Sequence, residues 1–178
     1  HVINQVLRRL DMEIAETYER RHQELSALGS DPTGGMTRLL YTDVWKAGQE
    51  YVKAEMEAFG MKVQYDAVGN LFGRIEGKEL PEETIMSGSH IDTVVNGGHL
   101  DGQYGVLAAL TAMEYLVSTY GQPKRSMEVI SLAEEESSRF PTVFWGSKNF
   151  VGEANNQEVA EIADANGLVS SLVFFAAR

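Results

Sequence analysis

Thr84-Ile85-Met86-Ser87-Gly88-Ser89-His90-Ile91-Asp92-Thr93-Val94 is the stretch from which the fold is read. Thr84 to Ser89 predicts a short buried strand that runs straight into His90. A glycine-rich loop from Asn96 to Gly102 follows and carries Asp101, and a strongly apolar segment from about Tyr104 to Thr119 predicts a helix. Pro123 ends that connection. Met127 to Ala133 then predicts a second strand, with Glu134-Glu135-Glu136 at its carboxyl end. Each group of acidic or imidazole side chains therefore follows a predicted strand or sits in the loop before a helix.

Working outward, Ile3, Leu7, Leu10, Ile14, Tyr18, Leu25 and Leu28 recur at helical steps, which predicts an amphipathic helix. Gly29-Ser30-Asp31-Pro32-Thr33-Gly34-Gly35 breaks it. A second helix is expected from a Thr42 cap to Phe59, with Gly60 as its stop. Met61 to Tyr65 and Leu71 to Ile75 read as two strands around the turn Asp66-Ala67-Val68-Gly69-Asn70. At the far end Asn155 to Asn166 reads as a polar helix, and Leu168 to Ala177 as an apolar segment that needs a surface to pack on. This order of elements predicts an α/β sandwich rather than a helical bundle. There is no internal repeat, linker or low-complexity tract.

Composition narrows the function. The formal net charge of −11 and the lack of a basic patch argue against nucleic acid or an anionic membrane as partner. With no cysteine there is neither a disulfide frame nor a thiolate zinc site, so a metal would have to be held by His, Asp and Glu. The same absence fits a reducing cytoplasm. No apolar run reaches the roughly 18 residues of a membrane span. The opening His1-Val2-Ile3-Asn4 has no signal-peptide pattern and no initiator Met, so a trimmed chain is expected.

Each candidate has a bland reading beside the chemical one. On an extended segment His90 and Asp92 point the same way, so Asp92 could hydrogen-bond one imidazole nitrogen while the other faces a metal. A lone His-x-Asp is more often a buried histidine satisfied by its neighbour. Asp101, just before a helix, is by itself best read as a cap. Glu134-Glu135-Glu136 would ordinarily be solvated surface. It follows an apolar strand, however, and the carboxyl edge of an open α/β sheet is where ligands bind. Crowded carboxylates there need cations, or one must stay protonated. His22 and His99 read as surface or loop residues, and Trp45 and Trp145 as packing.

Taken together, Gly88-Ser89-His90-Ile91-Asp92-Thr93-Val94, Asn96-Gly97-Gly98, Leu100-Asp101-Gly102 and Glu135-Glu136-Ser137-Ser138-Arg139-Phe140 resemble the dinuclear metallo-amidases. That family includes allantoate amidohydrolase, N-carbamoyl-L-amino-acid hydrolase and β-ureidopropionase-type enzymes, kin of the aminoacylase and carboxypeptidase G metallopeptidases. The resemblance runs from about Leu28 to Gly167. Gly34 to Tyr41 and Phe140 to Ser147 look most like the allantoate branch.

The resemblance implies an α/β/α sandwich of the zinc-exopeptidase-like type, with residues 1–178 as the amino-terminal portion of one metal-dependent catalytic domain. It implies two divalent cations, manganese or zinc, and hydrolysis of a ureido C–N bond, most simply allantoate to ureidoglycine, ammonia and carbon dioxide. His90 would be terminal ligand of one metal, Asp101 the bridge and Glu136 terminal ligand of the other. Glu135 would be the general base, Asp92 would support His90, and the Asp101–Gly102 peptide would be cis. Ser137 departs from the glycine usual at its position. In the family a further histidine for each metal, and a lid domain carrying substrate contacts and a homodimer interface, come from later in the chain. The expectation for these residues alone is therefore weak metal occupancy and no turnover. The alternatives are an N-carbamoyl-L-amino-acid hydrolase or a non-catalytic remnant.

Overall fold

The computed structural model describes residues 2–155 and 161–169. Helices α1 (Val2–Ala27) and α2 (Asp43–Ala58) precede strands β1 (Lys62–Tyr65), β2 (Leu71–Ile75) and β3 (Leu80–His90); α3 (Gln103–Tyr120), β4 (Arg125–Leu132) and α4 (Trp145–Phe150) follow. The strands form one sheet in the order β1-β2-β4-β3. β1 pairs with β2, and β2 with β4, antiparallel, whereas β3 and β4 run parallel with α3 as the crossover between them. The α/β reading of the sequence holds.

The helices form where capping and spacing dictate. Thr42 lies in extended geometry and its hydroxyl accepts the Trp45 N–H at 3.2 Å, satisfying a donor that the first turn of α2 leaves free. Trp45, Gln49, Val52 and Met56 then recur on one face and are buried. Gly60, at a φ of +87°, stops the helix as expected. Leu25, Val52, Met56, Leu71, Ile91, Val106, Leu107, Leu110 and Val129 are completely enclosed and belong to one core. Each such side chain stabilises the fold by about 1.5–3 kcal/mol relative to exposure. Trp45 and Trp145 pack in the same core, in line with their structural reading.

α1 is tied down by charge as well as by apolar contact. The nearly enclosed Arg21 donates to Glu55 of α2 at 2.8 Å, to Thr111 of α3 at 3.0 Å and to Glu114 of α3 at 2.5 Å. A cation so deeply buried is tolerable because two carboxylates and a hydroxyl meet it.

The helix expected from Asn155 to Asn166 does not form over its described part, residues 156–160 lying outside the described residues, and one unexpected helix appears. Residues 161–169 are not helical: Ala163 bridges Val169, and Asp164 Oδ1 accepts the N–H groups of Asn166 and Leu168 at 2.9 and 3.0 Å. The short polar side chain offers the backbone a turn in place of a helix, a competition that Asn166-Gly167 favours. Conversely, the six-residue α4 has no sequence signal, because it starts at Phe144 in the left-handed region and its first N–H groups are satisfied from afar. Phe144, Trp145 and Gly146 donate to the carbonyls of Glu135, Glu134 and Ala133 at 3.3, 3.0 and 2.7 Å. The expected apolar segment Leu168 to Ala177 lies, from residue 170 onward, outside the described residues.

Candidate metal centre

The parallel register of β3 and β4 sets His90 opposite Leu132, so that both strands end at the same edge. The residues after each strand, 91–93 and 133–136, therefore leave the sheet side by side. His90 is buried. Its Nδ1 lies 2.9 Å from the main-chain oxygen of Asp92, and 3.6 Å from the Asp92 carboxylate oxygen Oδ1. A carbonyl only accepts, so Nδ1 carries the proton and Nε2 is left with its lone pair.

Asp92 thus meets the imidazole differently from the straight-strand expectation. β3 stops at His90 and the chain turns, which swings the carbonyl of residue 92 onto the ring. The carboxylate instead reaches across to the second strand: Oδ2 accepts the N–H of Glu135 at 3.0 Å and that of Glu136 at 3.1 Å. Oδ1 is buried without a hydrogen-bond partner. Burial pushes the Asp92 carboxyl up, and the His90 ring and the two N–H groups oppose that shift.

Asp101 does not cap α3. The cap position is Gly102, which makes no side-chain cap bond, and the Asp101 side chain is 63% exposed. Its Oδ1 lies 4.0 Å from His90 Nε2. No described peptide bond is cis, so the expected cis Asp101–Gly102 bond is not found. Gly102 turns the chain with a φ of +67° instead, avoiding the roughly 2.5–4 kcal/mol of a cis bond before a non-proline residue. It also leaves room for the ring, since a Cβ at residue 102 would lie 2.4 Å from His90 Cε1.

The three glutamates diverge. Glu134, at a φ of +50°, turns inward and is fully buried. Its Oε1 accepts the N–H groups of Arg139 and Phe140, both at 3.1 Å, closing the loop, and burial lifts its carboxyl to about 7. Glu135 is 31% exposed and places Oε2 3.6 Å from His90 Nε2. Glu136 joins His90 and Asp101, one ligand atom of each lying within 4.8 Å of the others. Burial, and then the Asp101 carboxyl beside it, push the Glu136 carboxyl up.

These donors fit a divalent cation. They comprise one imidazole with its tautomer set, two converging carboxylates, and a third beside them. Among the described residues no lysine or arginine pairs with Asp101, Glu135 or Glu136. The negative charge gathered there lacks a local counter-charge.

Sequence reading passed over the supports of this edge. Asn70 is fully buried; its Oδ1 accepts the Ala133 N–H at 2.8 Å, and Nδ2 donates to Asp66 at 2.7 Å and to the Gly146 carbonyl at 3.0 Å. The Asp-x-x-Gly-Asn turn was the available signal, but its partners lie more than sixty residues away. His22 and His99 also hold the Asp101 loop, through His22 Nε2 to the His99 carbonyl at 2.9 Å and His99 Nε2 to the Gly34 carbonyl at 3.0 Å.

Comparison with known proteins places this edge in context. The profile of Peptidase family M28 matches residues 70–167. The allantoate amidohydrolase of Escherichia coli (strain K12) is 57% identical over 143 residues, covering 80% of this chain and 35% of that protein. The allantoate amidohydrolase of Bacillus subtilis (strain 168) is 51% identical over 144 residues, covering 81% and 35%. A crystal structure of a hydantoinase/carbamoylase family amidase from Burkholderia ambifaria superposes with a TM-score of 0.84 at 32% identity, over 90% of this chain and 39% of that one. The chain thus spans about a third of the length of the curated relatives it matches.

Proposed function

The chain belongs to Peptidase family M28, and from that premise we propose that the protein containing these residues is a metal-dependent amidohydrolase that cleaves a ureido C–N bond. Its proposed substrate is allantoate, and residues 1–178 form the amino-terminal portion of one catalytic domain. The observation that carries the reading is the meeting of His90, Asp101 and Glu136 at one sheet edge. The likeness to two allantoate amidohydrolases supports the substrate.

In this reading His90, Asp101 and Glu136 are the residues that would hold the two divalent cations, and manganese or zinc would suit these donors. Such a pair, when bound, lowers the pKa of water toward about 7 and polarises a carbonyl oxygen. Glu135, the acid nearest His90 Nε2 outside the ligand set, takes the proton of the water as its oxygen bonds to the ureido carbon. The terminal C–N bond then breaks, Glu135 delivers that proton to the leaving nitrogen, and ammonia departs; the carbamate left behind loses carbon dioxide to give ureidoglycine. Asp92 holds both sides of the site, its carbonyl fixing the imidazole and its carboxylate fixing the backbone of the two glutamates. A lid outside these residues is proposed to bind the substrate carboxylates and to form the homodimer.

The experiment is ammonia release from allantoate by the longer protein with added manganese or zinc, run beside N-carbamoyl-L-amino acids. Preference for the latter would favour the second reading, supported by a 35% identical N-carbamoyl-L-amino-acid amidohydrolase of Paenarthrobacter aurescens. Release from neither would overturn the proposal. The 178-residue chain alone, with two protein ligands for each cation, is expected to bind metal weakly and to turn over nothing.

A further inference from the structure

Arg38 carries a charge that no carboxylate meets. It is 0% exposed, and among the described residues it makes no ion pair. Nη2 donates to the carbonyls of Leu25 at 2.6 Å and Leu28 at 2.7 Å, and Nε to Leu28 at 3.1 Å. Nη1 donates to the carbonyl of Ile91 at 3.0 Å and to Gln103 Oε1 at 3.2 Å. The backbone of residue 38 is engaged as well. Its N–H donates to Thr93 Oγ1 at 2.9 Å and its carbonyl accepts the Thr93 N–H at 3.1 Å.

Burying a guanidinium in this way is costly unless something replaces its hydration. The carbonyls at the carboxyl end of α1 do so, because that end of a helix carries roughly half a negative charge. Burial pulls the Arg38 pKa down to about 10, with the charge of Asp92 opposing, so the group remains a cation at neutral pH.

Closure of α1 alone would need only the three bonds to the Leu25 and Leu28 carbonyls. The other bonds go to the site. Ile91 and Thr93 flank Asp92, and Gln103 stands two residues after Asp101. Gln103 is equally buried and donates on to Ser26 Oγ at 2.8 Å and to the His99 carbonyl at 2.6 Å, within the Asp101 loop. One guanidinium and one carboxamide thus join the segment that presents His90 to the segment that presents Asp101.

We propose that Arg38, acting with Gln103, is a positioning residue for the candidate metal centre: it sets the separation of the His90 and Asp101 ligand atoms. The inference rests on the metal reading above. A purely structural Arg38 would lower stability and leave the metal affinity of the folded protein unchanged.

The test uses the longer protein that contains these residues and two variants of it, Arg38→Lys and Gln103→Met. A lysine keeps the charge but cannot present a planar fork to several acceptors. A methionine keeps the volume of Gln103 without its hydrogen bonds. Folding is followed by circular dichroism, Mn²⁺ affinity by titration, Co²⁺ coordination by visible absorption, and metal-free backbone geometry by amide NMR. Both variants are expected to bind Mn²⁺ roughly 10–100-fold more weakly, the loss typical when a group supporting a ligand is removed. They are also expected to alter the Co²⁺ spectrum and to shift the amide resonances of residues 91–93 and 101–103 while those of β1 and β2 stay in place. If Arg38→Lys does not fold, Gln103→Met carries the test. A folded variant with wild-type affinity and unshifted resonances would overturn the inference. A wild-type longer protein that binds neither Mn²⁺ nor Co²⁺ would instead overturn the metal reading and, with it, this inference.

Discussion

Asp92 Oδ2 accepts the main-chain N–H of Glu135 at 3.0 Å, across 43 residues of sequence. The carboxylate that follows the histidine strand therefore holds the loop that carries the remaining acids, and it holds Glu136 in the same way. Asp92→Ala would strand two N–H groups and is expected to cost about 1–3 kcal/mol. Asp92→Asn keeps an acceptor and should cost less. Urea denaturation of both variants checks the order, and equal losses would mean that the two N–H bonds contribute little.

Gly102→Ala should damage the site more than the fold. Its methyl group would fall 2.4 Å from His90 Cε1, at a backbone φ of +67°. The ring must move or the loop must shift, and either change separates His90 from Asp101. The expected outcome is at least a tenfold loss of Mn²⁺ affinity with helical content retained, read by titration beside circular dichroism.

Ser137 stands where the resemblance implies glycine, and its φ is +50°. A left-handed non-glycine residue costs roughly 1–2 kcal/mol, partly offset in a glycine variant by the greater freedom of the unfolded chain. Ser137→Gly is thus expected to stabilise the chain by about 0.5–1 kcal/mol. A lower denaturation midpoint would show that the serine makes a compensating contact.

Under the proposed roles, Glu135 and Glu136 are expected to be separable in the longer protein. Glu135→Gln should keep both metals and lose turnover by roughly a hundredfold or more, as removal of a general base does. Glu136→Gln should lower the occupancy of one metal. Metal content measured beside rate decides; metal loss on Glu135→Gln with retention on Glu136→Gln would reverse the roles.

Acid should loosen α1 through Glu55. Burial alone would raise its carboxyl, but the hydrogen bonds and charges of Arg20 and Arg21 outweigh this and hold it below the ordinary value of 4.5. A depressed carboxylate pKa contributes stability that is present above the unfolded value and is lost as pH falls through the folded one. Glu55→Gln should therefore lower the urea midpoint at pH 7 and flatten its fall below about pH 4.5. An unchanged pH slope would exclude Glu55 as a source of acid sensitivity.

The order of helices and strands was legible in the amino acids because caps, stops and apolar spacing are local. Thr42, Gly60 and the buried face of α2 show it, and only the turn at Asp164 and the short α4 escaped that reading. The presence of His90, Asp101 and the glutamate run beside predicted strands and a helix was legible in the same way.

What each side chain does there was not. Periodicity could not say that Asp101 leaves the cap position to Gly102, or that Glu134 turns inward while Glu135 and Glu136 turn out. Nor could it say that Asp92 would reach the backbone of the opposite loop, or that Arg38 would donate to main-chain carbonyls of two segments and to the Gln103 side chain of a third. The sequence by itself determined the class of fold and the stock of candidate metal donors, since both depend on residue type and short-range spacing. Only the tertiary structure decided which donors converge, because the parallel register of β3 on β4 and a few hydrogen bonds between residues far apart in the chain set those distances.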